Sequence, residues 1–227
     1  MPIKNVIKSY KPETYYHLYN LGIENRIIFE DDIDYQVFLD FLEQSLTPPK
    51  TKEALRELVT IKGQSFHGSP RQPINLHGLV ELHSFVLMPT HWHLLVKQKQ
   101  LNGIETFMRS LGTRYVMHFN KRHSRRGPLF QGTYKAIDVT NEAMILHLTR
   151  FMHLKAKTLP GGFSSLHSSY PAYTHQAFMP FVTTHEIEAM LDRDGLLRSL
   201  NPTYQHFIEN FQEDSTMVLG SLTLADD

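Results

Sequence analysis

Apolar residues in the first part of the chain follow first a strand pattern and then a helix pattern. Residues 15–20 (YYHLYN) alternate along an aromatic run, which predicts a strand, because successive side chains of a strand point to opposite faces. Asp31 or Asp32 can cap a helix over the following residues, where the apolar positions Ile33–Leu42 keep helical spacing. The chain therefore begins its fold with a strand and a helix.

A hairpin, a helix, a strand and a further helix follow in the pattern. Residues 79–88 and 91–97 flank a Pro-Thr turn and predict two paired strands. An apolar stripe over 104–119 predicts a second helix, and 130–139 a fourth strand despite Gly132. Thr140 or Asn141 can cap a third helix that fades near Pro160. This order predicts an α+β fold, a ferredoxin-like split βαβ with an appended helix.

Two regions fall outside this pattern. Residues 47–75 contain prolines and glycines and predict an inserted loop with a short helical stretch around 53–59. After a Ser-, Tyr- and Pro-rich stretch, helices are predicted near 184–193 and 202–213. We expect one domain over 1–160 and an acidic, partly helical C-terminal extension over 161–227.

Charge is distributed unevenly although the net charge is zero. Residues 106–137 contain seven bases and no acid, hence +7, whereas 186–227 contain nine acids and two bases, hence −7. This asymmetry favours a polyanion-binding middle, and single-stranded DNA would suit bases interleaved with aromatic residues. The alternative for any such run is a solvated surface. The candidate DNA-binding residues are Arg109, Arg114, Lys121, Arg122, Arg125, Arg126 and Lys135.

Several classes of chemistry and location are disfavoured. The chain has no cysteine, which excludes disulfides, thiolate nucleophiles and sulfur-ligated metals. The N-terminal residues lack an apolar signal region, and the charge-poor run 82–96 is short for a membrane span and rich in histidine. We expect a cytoplasmic protein without membrane contact.

The sharpest chemical feature is His91-Trp92-His93 on a predicted strand. Residues i and i+2 share one face, so both imidazoles point outward with Leu95, opposite the helices that cover Trp92. Two such imidazoles can hold one divalent cation if a third ligand completes the site. A chance pair among 14 histidines is the alternative on spacing alone.

Four ordered motifs resemble the REP-associated tyrosine transposases, members of the insertion-sequence-200-like single-strand HUH transposases. They are residues 16–20 (YHLYN), 86–96 (VLMPTHWHLLV), 107–113 (FMRSLGT) and 127–132 (GPLFQG). The similarity extends from about residue 15 to 155, and 162–211 resembles the family's C-terminal extension. The resemblance implies binding of single-stranded or hairpin DNA and a role in DNA transposition.

The same resemblance implies a metal-dependent nickase. His91 and His93 would bind Mg²⁺ or Mn²⁺ and polarise a phosphodiester, and a tyrosine on the appended helix would attack the phosphorus. Because hard cations prefer oxygen ligands, two imidazoles alone favour Zn²⁺ or Mn²⁺ over Mg²⁺.

Two positions depart from the family pattern, which is roughly Arg-Tyr-Ile-His-Leu-Asn-Pro. The aligned residues 150–156 read RFMHLKA, so that Phe151 occupies the nucleophile position and Lys155 that of the Asn metal ligand. Phe151 has no hydroxyl, and an ammonium repels a cation. In addition, Leu21 stands where many relatives have Arg, which weakens one expected phosphate contact.

Few other residues are candidates for the missing nucleophile or the missing metal ligand. Tyr115 lies on the apolar stripe of the second helix and is expected to be a core aromatic, while Tyr134 can point either way. His17 is a candidate third ligand or a hydrogen-bonded strand residue, and His153 a helix-face residue. Two hypotheses follow: a transposase that uses a substitute nucleophile, and a descendant that binds DNA without cutting it.

Overall fold

The computed structural model describes residues 9–51, 54, 57–61, 64–68, 74–193 and 204–210. Its strands are β1 (Thr14–Leu21), β2 (Glu57–Ile61), β3 (Gln64–Gly68), β4 (Val80–Met88), β5 (His91–Gln98) and β6 (Lys135–Val139). Its helices are α1 (Asp32–Leu46), α2 (Gly103–Arg122), α3 (Glu142–Ala156), α4 (Tyr170–Tyr173), α5 (His185–Arg193) and α6 (Tyr204–Asn210). None of these helices is both long and apolar enough to span a membrane.

Four strands form an antiparallel sheet in the order β4-β5-β1-β6. Strand β5 lies between β1 and β4, so the two strands joined by α1 are separated by a third, as in a split βαβ unit. The predicted α+β, ferredoxin-like topology is confirmed. In the β1–β5 register Tyr19 lies opposite His93 and Leu21 opposite His91.

The first face of the sheet packs against α1 and α2. Leu18, Trp92 and Leu94 point to this side and are buried with Phe38 of α1 and Tyr115 of α2. The alternation of strand side chains accounts for this face, because each of these strand residues is an even-numbered position. The main core of the protein lies here.

The second face is covered as well, which differs from the expectation that it points outward. Leu95 is fully buried and shares a core with Met152 of α3 and Ile187 of α5. Backbone hydrogen bonds attach the C-terminal extension to β4: Ser169 N–H donates to Phe85 O at 3.0 Å and Thr183 N–H to Leu82 O at 2.8 Å. The prediction of an outward face was wrong because α3 and the extension fold over it. The domain division at residue 160 stays a prediction.

Helix boundaries follow the capping residues named above. The Asp31 carboxylate accepts from the N–H groups of Ile33 and Asp34, so Asp31 rather than Asp32 caps α1. The Asn141 side chain accepts from Met144 N–H and caps α3.

Three sequence-based elements need correction. The fourth strand is Lys135–Val139 rather than 130–139, because Gly132 has φ +111° and turns the chain. Residues 57–61 form a strand paired with 64–68, not the end of a helix. The last helix, predicted over 202–213, is described over Tyr204–Asn210, and its remaining predicted positions lie outside the described residues.

Candidate functional site

His91 and His93 occupy the first and third positions of β5 and share the second face. Their ring centroids are 5.1 Å apart with planes at 87°. His91 is half-buried, with Nδ1 3.0 Å from the Thr90 hydroxyl oxygen, while His93 is fully buried. The spacing expected of a shared strand face is therefore present, at the edge of the layer formed by α3.

His17 on β1 joins this pair. Its Nε2 lies 2.9 Å from His93 Nδ1, and the two rings stack with centroids 5.1 Å apart. Both side chains are fully buried. A hydrogen bond between the two rings fixes the orientation of the His93 ring. His17 is therefore a neighbour of the histidine pair, as its place on the first strand suggested.

Phe151 and Lys155 lie on α3 over these histidines. The Phe151 ring stands edge-on to His93, with centroids 6.1 Å apart and planes at 85°. Lys155 Nζ lies 4.8 Å from the centroid of the Phe151 ring, since residues four apart on a helix share a face. Phe151 thus adjoins the histidine pair and Lys155 adjoins Phe151, while their assignment to the nucleophile and metal-ligand positions stays a prediction.

The donor set decides which ion these residues fit. His91 and His93 supply imidazole nitrogens, and Lys155 supplies a positive charge instead of an amide oxygen. Two nitrogen donors suit Mn²⁺ or Zn²⁺ better than Mg²⁺, which requires oxygen ligands. The residues therefore fit a divalent ion only weakly.

Tyr19 is a site residue that the sequence reasoning missed. Its ring lies 5.1 Å from His17 and 6.0 Å from His93, centroid to centroid. The strand pattern could have identified this residue. Tyr19 is two residues from His17 on an alternating strand, so the two side chains must share one face.

The tyrosines named from sequence lie elsewhere. Tyr115 is fully buried on the first face, its hydroxyl donates to Ile28 O at 2.5 Å, and burial raises its pKa. The Tyr10 hydroxyl donates to that of Tyr134 at 3.0 Å, and burial raises the pKa of Tyr134. Tyr134 packs against the first-face core. The structure brings neither phenol to the histidine pair.

His153 belongs to a buried polar network beneath the extension. Its Nε2 lies 2.7 Å from Ser169 Oγ and its Nδ1 2.6 Å from the Tyr204 hydroxyl. Burial lowers the pKa of His153 to about 3. The expectation that His153 lies on a helix face is met, but that face is inside the protein.

Several of the predicted DNA-binding bases are held by contacts within the protein. Arg122 bridges Asp31 at 2.5 Å and the fully buried Asp34 at 2.8 Å. Arg114 donates to Gln44 at 2.5 Å and covers the ring of Phe41. These contacts give both arginines a structural role in joining α1 to α2.

Other bases lie at the end of the sheet that carries His91. Lys121 and Arg126 are exposed and form no ion pair within the described part of the chain. Arg125 shapes their loop by donating to Pro128 O at 3.0 Å. We give the name basic loop to residues 121–132, which comprise the last two residues of α2 and the loop that follows it. Arg109 is also exposed, and Lys135 is half-buried at the start of β6.

The basic loop is attached to β1 close to the histidines. Gln131 N–H donates to Leu21 O at 2.9 Å, and Asn20 Nδ2 donates to Gly132 O at 3.1 Å. Because Leu21 pairs with His91 across the sheet, the loop and the histidine pair meet at one end of the sheet. Leu21 itself is half-buried and carries no charge toward this end.

Two aromatic residues interleaved with these bases differ in burial. Phe119 is fully buried in the first-face core and cannot reach a nucleobase in this fold. Phe130 is half-buried and packs against Trp92 with centroids 6.3 Å apart, so base-stacking by Phe130 stays a prediction.

Comparison with known proteins assigns part of the chain to a family. Residues 72–152 match the model of the family described as transposase IS200 like. Among solved structures, the fold is similar to that of a REP-associated tyrosine transposase bound to a REP hairpin, at 9% identity and a TM-score of 0.49. That match covers 82% of this chain and 93% of the other. No curated protein matches the sequence.

Proposed function

Because residues 72–152 place this chain in the IS200-like transposase family, we propose that it binds hairpin-forming single-stranded DNA without cutting it. The binding surface is the end of the sheet where His91 and the basic loop meet. The protein is then a transposase descendant that retains recognition and has lost its nucleophile.

The position of Phe151 is the observation that carries this proposal. Its ring faces His93 at 6.1 Å, where a phenol would stand beside the metal-binding pair. Covalent catalysis at phosphorus needs an ionisable oxygen nucleophile, and a phenyl ring has none. This arrangement supports a site that has kept its geometry and lost its central reactant.

Lys155 supports the same interpretation. Its ammonium lies one helical turn from Phe151 and is held over that ring by a cation–π contact of 4.8 Å. A fixed cation opposes a metal ion but attracts a phosphate directly. The two substitutions together replace a site for chemistry with a site for phosphate binding.

A divalent ion on His91 and His93 would, when bound, polarise a phosphate oxygen. The chain's own contribution is to hold His93 through its hydrogen bond with His17 and to present Lys155 to the backbone of the DNA. Arg126 and Lys121 add charge at the same end of the sheet.

An active enzyme is the second candidate, and Tyr19 is the observation that favours it. This tyrosine adjoins both His17 and His93 on the second face. Its hydroxyl could attack a phosphate only if the DNA reaches into the layer between β1 and α3, since Tyr19 is 6% exposed.

The test is binding and cleavage measured on one set of oligonucleotides. Labelled DNA hairpins with single-stranded flanks are titrated with protein and followed by fluorescence anisotropy, with an unstructured strand of equal length as comparison. The same mixtures with Mn²⁺ are then run on denaturing gels. Tighter hairpin binding with intact DNA supports the proposal. Equal weak binding of all strands contradicts the recognition, and cleaved DNA lost in Tyr19→Phe establishes the enzyme.

A further inference from the structure

A second group of metal-ligating side chains lies at the opposite end of the second face. Glu81 and His83 of β4 and Glu186 of α5 bring one ligand atom each within 4.8 Å of one another. Lys97 of β5 pairs with Glu81 in the sheet register, four residues along the strand from His93. At about 3.3 Å per residue this group is about 13 Å from the histidine pair.

The orientation of His83 points to a ligand. Its Nδ1 lies 2.9 Å from Thr183 O, and since a carbonyl only accepts, the ring proton is on Nδ1. The Nε2 lone pair is therefore directed toward Glu81, 3.9 Å away. A hydrogen bond from the distal nitrogen to a backbone carbonyl is the usual way in which proteins fix a metal-binding imidazole.

His83 is fully buried, and its Nε2 has no hydrogen-bond partner among the described residues. A buried polar atom left in this state costs stability unless something occupies the space it faces.

Strand alternation places His83 beside Glu81. The two residues are two positions apart on β4, so their side chains share one face of the sheet. The pairing of β4 with β5 shifts between Leu82 and Ser84, which leaves His83 as the extra residue of a bulge, without a paired residue on β5.

Glu186 is held from two sides. Its carboxylate accepts a hydrogen bond from the Tyr15 hydroxyl. Lys97 Nζ donates to both carboxylate oxygens, at 3.1 Å to Oε1 and 3.0 Å to Oε2. Lys97 Nζ also lies 3.2 Å from Glu13, and Lys99 lies 3.7 Å from Glu81. Glu13, Glu81 and Glu186 are three acids against two lysines, so the cluster keeps one negative charge and can accept a cation.

We propose that Glu81, His83 and Glu186 form a divalent metal site separate from His91 and His93. One imidazole and two carboxylates suit Zn²⁺, whose ligand atoms at about 2.0–2.2 Å from the ion lie roughly 3–4 Å apart. Binding moves Lys97 from Glu186 to Glu13, which it already contacts. The ion then ties α5 of the extension to the sheet.

A salt-bridge network alone does not account for His83. The carboxylates could be satisfied by Lys97, Lys99 and Tyr15, but those donors leave His83 Nε2 facing Glu81 without a proton between them. A divalent cation between His83 Nε2 and the Glu81 carboxylate would bond to both. This group includes two carboxylates, which attract a cation. His91 and His93 differ, because the nearby Lys155 ammonium repels one.

The test uses the full chain with His91→Ala, which removes the first candidate site. Calorimetric titration with Zn²⁺ is expected to show one ion per chain and a raised thermal unfolding midpoint. Adding His83→Ala or Glu186→Gln should weaken binding at least tenfold and remove the rise. Lys97→Met should strengthen binding, because it removes the competing cation.

Controls separate this site from general histidine binding. His77→Ala, at an exposed histidine outside both groups, should leave the Zn²⁺ affinity unchanged. Glu186→Gln changes a partly exposed side chain on α5, so this variant is expected to fold. It therefore still tests the site if His83→Ala fails to fold. The proposal is overturned if His91→Ala binds no Zn²⁺, or if its affinity is unaffected by Glu186→Gln.

Discussion

In the proposed function, Phe151 and Lys155 change the chemistry of the site while leaving its geometry in place. Phe151 still faces His93, and Lys155 still lies one turn further along α3. A ring without its hydroxyl occupies nearly the same volume, so packing on the second face tolerates the change. Replacing an amide by an ammonium, in contrast, reverses the sign of the interaction with a cation.

The first prediction concerns Mn²⁺ at the histidine pair, measured in a Glu186→Gln background so that the second group does not contribute. Weak binding is expected, and His91→Ala should abolish it. Lys155→Asn should tighten it several-fold, because an amide oxygen replaces a repelling charge. Calorimetry checks both. Identical affinities in all three proteins would remove the pair as a metal site.

At the scale of elements, the basic loop contains residues with two different roles. Arg122 and Arg125 are engaged in structural contacts, whereas Lys121 and Arg126 extend from the loop. A charge count over 106–137 treats them alike, because sequence does not show which bases find acids in the fold. The acids that pair with Arg122 are Asp31 and Asp34, which lie 91 and 88 residues earlier in the chain.

The second prediction follows from this division. Lys121→Gln with Arg126→Gln should reduce the slope of log affinity for hairpin DNA against log salt by about 0.7 per lost phosphate contact, with little change in stability. Salt titrations followed by anisotropy measure the slope.

Arg122→Gln is the matched variant. It should lower the thermal unfolding midpoint, since the buried Asp34 loses an ion pair, and leave the slope unchanged at temperatures where it is folded. The assignment of roles fails if Arg122→Gln flattens the slope and the Lys121 and Arg126 changes do not.

Strand alternation and capping residues predicted most elements of the first 160 residues. The strands around His17 and His93, the caps at Asp31 and Asn141, and the buried Tyr115 all follow local patterns. The β2–β3 hairpin was missed because, in the part of the chain that the structure describes, its two strands pair only with each other and not with the main sheet. The bulge at His83 was also missed, since register shifts depend on the partner strand.

At the scale of the whole molecule, the sheet is covered on both faces. Alternation predicts that β1 and β5 have two distinct faces but not what covers the second one. Helix α3 and parts of the extension cover this second face. Two polar groups lie between them and the sheet. One is His153 with Ser169 and Tyr204, and the other is His83 with Glu81 and Glu186. Tertiary packing supplies most of these partners: Ser169 and Tyr204 lie 16 and 51 residues from His153, and Glu186 lies 103 residues from His83.

The third prediction is a loss of stability in acid. His153 has its pKa lowered to about 3 by burial, while the unfolded chain titrates near 6.5. The unfolded state therefore binds more protons between pH 6.5 and 3, so stability is full above 6.5 and falls as the pH drops through this window. His83, lowered to about 4, adds to the fall down to its own pKa.

His153→Gln tests this by removing one titrating group while keeping polar atoms in the network. Urea unfolding between pH 5 and 6 should show a slope reduced by about 1.4 kcal/mol per pH unit relative to wild type, whatever the variant's stability at pH 7. An unchanged slope would mean that His153 is protonated in the folded protein.

The central claim, that this transposase fold keeps the site and lacks the nucleophile, is tested most directly by covalent adduct formation with hairpin DNA in Mn²⁺. Wild type, Phe151→Tyr alone and Lys155→Asn alone are expected to give no adduct, because nucleophile and metal act as a unit. The double variant should give a Mn²⁺-dependent adduct that maps to position 151. A strong wild-type adduct, mapped by peptide sequencing to Tyr19, Tyr115, Tyr134 or any other tyrosine, would contradict the claim.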